Sequence, residues 1–351
     1  MHAKRDNYYP NTEPLGRDEM RIVALGTGRP FLRPSQSNAG WLIELGNGDK
    51  FMFDFGFGTQ KNFSALEIPY QDITACFATH LHTDHVGDFA QIWVGSWVGG
   101  RTKALEVHGP SGPQPKYGMR HFVEKTVEAY AWDRDTRIGF LPAIGAEIDV
   151  HEFDHATPGV VYERNGVRIS SFPAVHIYDG PVSLRLDWSG LSFVYSGDTT
   201  PNRFMVEHGA NADVLVHDTY NTVGQLIERS GYDERGARVM SGWVHSDPAE
   251  AGRLFEMLKP RLAVGFHFFN DFDTAPEMEA EIRRHYRGPL ALALDFMVFN
   301  VTREAIRVRM AATSTHVWPN KHNHEAWRAA PRGPRLAMSP WLSDAQLFPK
   351  R

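Results

Sequence analysis

Residues 79–85 read Thr-His-Leu-His-Thr-Asp-His, placing three imidazoles and a carboxylate within six positions directly after the apolar run 73–77. Such side chains are a poor choice for filling a core, because unpaired polar groups are costly to bury. In an extended segment residues two apart point the same way. His80 and His82 can therefore grip one metal ion, while Asp84 and His85, entering a turn, can face a second. Imidazole and carboxylate donors suit zinc. One loop cannot supply two coordination shells, so the fold must bring other donors to this place.

Three more donors stand at the ends of strand-like runs. His176 follows 170–175, Asp198 follows Leu191–Tyr195 within Ser196-Gly197-Asp198-Thr199, and His267 follows Leu262–Phe266. Strands are also predicted at 21–25, 41–45, Lys50–Phe55, 73–79, 105–108, 167–175, Val182–Trp188, 212–217, 290–301 and 306–310. Asn47-Gly48 and Ser189-Gly190 mark tight hairpin turns. Helical spacing occupies 88–98, 116–130, Pro248–Leu258 and 276–286, the third introduced by Ser246 or Asp247 as N-cap with Pro248 at its first position. Two successive sets of strands with helices interposed predict two sheets packed face to face with helices outside. Residues 1–19 read as an N-terminal arm, 20–311 as the main domain and 312–351 as an extended tail. That tail is rich in Pro and Trp, with Lys321, Arg328, Arg332, Arg335, Lys350 and Arg351 set against Glu325 and Asp344.

Composition narrows the function. The net charge of −5 over 351 residues lacks the basic excess of a phosphate-gripping surface, so no dedicated nucleic-acid partner is expected. The single cysteine, Cys76, lies in an apolar run and reads as a core residue. Residues 1–10 show no apolar signal segment, and no run of about 18 apolar residues exists, which predicts a cytoplasmic protein without a membrane span.

Several features are weaker. His151-Glu152-Phe153-Asp154-His155 fits H-E-x-x-H, but that motif needs a helix and 147–150 alternates like a strand. Gly26-Thr27-Gly28-Arg29-Pro30 reads as a tight turn near the metal site rather than a nucleotide loop. Trp93 and Trp97, four apart on a helical stretch, suit core packing or a substrate cleft. Trp243, Phe268 and Phe269 stand beside His245 and His267 and are candidates for lining the substrate site. His316, His322 and His324 read as solvated tail residues.

The pattern H-x-H-x-D-H followed by a later His, Asp and His resembles the metallo-β-lactamase superfamily across nearly the whole chain, from Gly26-Thr27-Gly28 to Phe299-Asn300-Val301. Val216-His217-Asp218-Thr219 and Val244-His245-Ser246 resemble its RNase Z-like branch, where an acidic residue, usually Glu, and a His precede the last ligand. Tyr8-Tyr9-Pro10, residues 44–51, Asp179-Gly180-Pro181-Val182-Ser183 and residues 267–271 are similar to RNase Z-like metallo-β-lactamases of environmental metagenomes. The resemblance implies an αββα four-layer sandwich and two Zn2+ per chain. It places His80, His82 and His176 on the first ion, Asp84, His85 and His267 on the second, and Asp198 between them. It also implies a metal-bridging hydroxide, with His245 steered by Asp218 protonating the leaving group.

Fold does not fix substrate. The resemblance points first to a small-molecule substrate, a β-lactam or another cyclic amide. Alternatives are an RNase Z-like phosphodiesterase with weak tRNA activity, and a hydrolase of lactones, aryl esters or halogenated aromatics. RNase Z enzymes of the bacterial type carry a long tRNA-gripping arm between the ligands matching His176 and Asp198, and only 22 positions separate these two here. A homodimer is expected from the arm and tail.

Overall fold

The computed structural model describes residues 5–319 and 324–348. Lys321, His322, Lys350 and Arg351, and the first four residues of the arm, lie outside them. The first sheet comprises β1 (Asn7–Tyr8), β2 (Met20–Gly26), β3 (Gly40–Leu45), β4 (Lys50–Phe55), β5 (Ala75–Phe77), β6 (Leu105–Pro110), β7 (Ile148–Phe153), β15 (Met297–Val301) and β16 (Ile306–Ala311). Its order is β1-β16-β15-β2-β3-β4-β5-β6-β7. The second holds β8 (Gly159–Arg164), β9 (Val167–Pro173), β10 (Val182–Trp188), β11 (Leu191–Tyr195), β12 (Val214–Asp218), β13 (Leu262–Phe266) and β14 (Leu290–Leu292), in the order β14-β13-β12-β11-β10-β9-β8.

The central strands are apolar on both faces because both faces are covered. Ile22, Trp41, Ile43, Phe51 and Phe53 meet Ile169, Leu184, Phe193, Val216 and Phe266 between the sheets. The alternate residues Val23, Leu42, Met52 and Phe55 pack outward against Phe63, Phe89, Ile92, Trp93 and Met119. On the other side Val194, Leu215 and Ala263 pack against Phe255 and Leu258 of the helix Pro248–Leu258 and Ile282 of the helix Ala275–Arg283. The result is the αββα sandwich. Asp247 caps Pro248–Leu258 through a reciprocal pair with Glu250, its side chain accepting from the Glu250 N–H at 2.8 Å.

The predicted strand 290–301 is two strands in different sheets. β14 closes the second sheet and β15 lies between β16 and β2 of the first. An apolar run says nothing of a crossing. The intervening Asp295 betrays it by accepting from the backbone N–H of Thr27 and Ser37 and the Asn62 amide. The arm joins the first sheet: β1 pairs with β16, and Tyr8 is buried. The tail returns to the far edge, where the Pro331 carbonyl accepts from the Ala143 N–H and Arg335 lies over the Phe140 ring. Among the described residues no helix is long and apolar enough to cross a membrane.

Candidate metal centre

β11, β12 and β13 are parallel neighbours, so the segments leaving their carboxyl ends emerge side by side. Those segments carry Asp198, Asp218 and His267. β5, in the facing sheet, hands over to the 79–85 loop at the same rim. Two close approaches fix the loop. A Cβ on Gly56 would stand 1.9 Å from the Asp84 carbonyl oxygen. Gly197, at φ +58, turns the chain into Asp198 hard against the Thr79 side chain.

The seven residues singled out in the sequence form two groups. In the first, His80 Nε2 lies 3.0 Å from His82 Nδ1, and His176 Nε2 lies 3.4 Å from the same atom. Asp198 Oδ2 stands 3.7 Å from His80 Nε2 and 3.8 Å from His176 Nε2. In the second, His267 Nε2 is 3.0 Å from Asp84 Oδ2, and His85 Nε2 is 3.1 Å from Asp198 Oδ1. Asp198 thus turns one carboxylate oxygen to each group. All donor atoms within a group lie within 4.8 Å of one another.

The residues fit metal ions. Asp84 Oδ1, His85 Nε2 and Asp198 Oδ1 are buried without a hydrogen-bond partner, which a protein rarely tolerates unless something else satisfies them. On three of the histidines the opposite ring nitrogen is tied down, as metal-binding histidines require. His85 Nδ1 lies 2.6 Å from Asp54 Oδ2, His80 Nδ1 3.1 Å from Thr79 Oγ1, and His176 Nδ1 2.9 Å from the Val244 carbonyl. Burial, with the neighbouring His85, holds His80 well below its ordinary pKa, and burial also lowers His82 and His176, leaving their lone pairs free. At His85 burial opposes the charge, but Asp198, Asp54 and Asp84 outweigh it and raise the pKa. The second pocket therefore attracts a cation.

His245 stands beside these groups. Its Nδ1 is 2.8 Å from Asp218 Oδ2, and its ring stacks on Tyr220 at 4.3 Å. Aspartate, shorter than the glutamate of the resembling branch, still reaches. Burial works against the charged imidazole, but Asp218 and Asp198 outweigh it and raise the His245 pKa.

The candidates for lining the substrate site fare differently. Trp93 and Trp97 are fully buried, and their ring N–H groups donate to the carbonyls of Ala146 and Pro142. They are packed away from solvent. Phe268 is likewise fully buried. Phe269 is half-buried between Arg29, Arg33 and Phe31, while Trp243 is exposed one residue before Val244. His151 lies on strand β7, so H-E-x-x-H is no helical site.

Sequence reasoning missed Asp54, which besides His85 holds the Thr79 N–H and hydroxyl and the Tyr195 hydroxyl. It also missed Arg29, whose guanidinium donates to the Tyr220 hydroxyl behind His245. An aspartate amid phenylalanines, in Phe53-Asp54-Phe55, was the available signal. Missed too was a cleft of about 630 Å³ opening from His80, His82 and His176. Tyr117, Tyr130, Tyr178, Lys116, His121 and Lys125 line its walls. Tyr117 and Tyr178 meet edge to face at 6.2 Å, and the Lys116 ammonium lies 4.7 Å from the Tyr117 ring centre.

Comparison with other proteins adds to this geometry. A model of the metallo-beta-lactamase superfamily matches residues 32–267. Ribonuclease Z of Mycobacterium marinum is 31% identical over 204 residues, covering 56% of this chain and 70% of that protein. Ribonuclease Z of Mycobacterium sp. (strain KMS) is 28% identical over 269 residues, covering 75% of this chain and 88% of that one. The crystal structure of human tRNase Z, short form, superposes with TM-score 0.59 at 19% identity over 79% of this chain and 98% of its own. The metallo-beta-lactamase fold protein YhfI of Bacillus subtilis gives 0.59 at 16% identity over 81% and 100%.

Two expectations fall. β-Lactam hydrolysis is not what the matched relatives are named for; they are ribonucleases. The same finding overturns the expectation of no nucleic-acid partner. Net charge misled because it averages the surface, whereas Lys116 and the tyrosines gather at one cleft.

Proposed function

Since the chain belongs to the metallo-beta-lactamase superfamily and to its ribonuclease Z-like branch, we propose that it is a dinuclear zinc phosphodiesterase that hydrolyses RNA. The observation that carries the reading is the tyrosine and lysine cleft running from His80, His82 and His176. Every nucleobase has a face that stacks on an aromatic ring, and an ammonium group neutralises phosphate. A β-lactam offers neither a row of flat rings nor a chain of anions.

His80, His82 and His176 would hold one zinc ion, Asp84, His85 and His267 the other, with Asp198 shared. Together the ions would supply Lewis acidity toward a phosphoryl oxygen and lower the pKa of a water toward about 7. The chain does the rest. Tyr117, Tyr130 and Tyr178 seat unpaired bases, and Lys116 positions the backbone phosphate. The water gives up one proton to solvent, its oxygen bonds to phosphorus, and the bond from phosphorus to one sugar oxygen breaks. His245 gives its proton to that leaving oxygen, and Asp218 fixes the imidazole through Nδ1, leaving Nε2 to face the substrate. Between His176 and Asp198 the chain forms only the β10–β11 hairpin, so grip on RNA falls to the cleft.

The test is cleavage of an RNA with an unpaired 3′ extension by zinc-loaded protein, with Asp84→Ala as control. Cleavage abolished by the substitution is the expected result. An intact RNA, or turnover indifferent to Asp84, contradicts the reading.

A further inference from the structure

β6 and β7 run parallel at the open edge of the first sheet, with Glu106 opposite Asp149 and His108 opposite His151. The sequences Glu106-Val107-His108 and Asp149-Val150-His151 are therefore one motif written twice and laid side by side. Within each strand the carboxylate lies two residues before the histidine and on the same face. Glu106 Oε1 is 2.8 Å from His108 Nε2, and Asp149 Oδ2 is 3.0 Å from His151 Nε2. The imidazoles stack at 4.6 Å with 14° between their planes, and His108 stacks in turn on the core ring of Phe77.

We infer that Glu106, His108 and His151 form a second metal-binding site, for a zinc-class divalent transition ion, separate from the catalytic centre. One ligand atom from each lies within 4.8 Å of the other two. A centre common to three atoms so placed is at most about 2.8 Å from each, against about 2.0–2.2 Å in a zinc site, so shifts below an ångström and a rotation of the half-exposed His151 ring out of its stack close the shell. Asp149 is in reach as a fourth donor or as the partner that orients His151.

Two further observations fit. His108 is 97% enclosed with its Nδ1 lacking any partner, which is costly for a merely structural histidine. A cation already favours the spot: the Arg164 guanidinium, half-exposed on β8, reaches across the sandwich to Glu106. An ion there would compete with Arg164 and tie β6 to β7.

The full chain, dialysed to equilibrium against micromolar Zn2+, tests this through its metal-to-protein ratio by mass spectrometry. His151→Gln, at a half-exposed position, is expected to lose about one equivalent per chain, and Arg164→Gln none. Glu106→Gln serves as a second variant should His151→Gln fail to keep the wild-type circular dichroism spectrum. Equal ratios in wild type and in a folded variant overturn the inference.

Discussion

Asp198 shows how far a single residue organises this centre. Its two oxygens face different histidine groups, so no other position can replace it without losing the coupling between them. In the proposed reaction His245 acts on the substrate side. Its removal in His245→Ala should cut kcat by about 10²–10⁴-fold with zinc content unchanged. With His245 as the proposed acid and its pKa raised, activity should decline as pH climbs above the ordinary histidine value of about 6.5. Asp218→Asn should move that decline to lower pH. A pH-rate profile unmoved by Asp218→Asn would deny the pair its role. Cys76 gives a simpler check. Burial pushes its thiol up to about 12, so it should resist a thiol reagent in the folded protein and react fully in denaturant. At this scale the sequence was most legible, since metal donors are chemically conspicuous at strand ends. Asp54 was not, because one carboxylate in an apolar strand carries no sign of its partner 31 positions on.

Strands were legible where apolar runs were bounded by turns, as at Ser189-Gly190, whose φ values of 50° and 75° suit a tight hairpin. The division of 290–301 between two sheets was not, because side-chain period is silent about which sheet a strand joins. The helix Met119–Ala129 and the preceding turn at Pro115–Tyr117 escaped functional notice altogether, yet they build one wall of the cleft. Tyr117→Ala and Tyr178→Ala should each raise KM for RNA roughly 5- to 100-fold, the worth of one lost stack. Both should affect bis-p-nitrophenyl phosphate far less, since its two rings flank a single phosphate and cannot run along the cleft. Equal effects on both substrates would give these tyrosines a structural role instead. The helical stretch bearing Trp93 and Trp97 makes the opposite case. Trp97→Ala should cost about 3–5 kcal/mol of stability, read by denaturant unfolding, with KM unaltered.

The molecule as a whole is a sandwich whose two sheets deliver donors to one rim. Residues as distant in sequence as Asp84 and His267 meet there at 3.0 Å. Its net charge says little for or against the proposed RNA partner, because a formal sum cannot show Lys116 and the tyrosines gathered at one mouth. The 22-position spacing was read correctly as too short for an arm, but absence of one gripping device did not exclude another. All of this depends on paired metal ions at the convergence of the seven donors. Anomalous X-ray scattering at the zinc edge, on crystals of the full chain grown with zinc, measures that directly. The account predicts two strong peaks at this rim, one among His80, His82 and His176 and one among Asp84, His85 and His267, with Asp198 touching both. Crystals soaked in zinc that show no peak at this rim would contradict it.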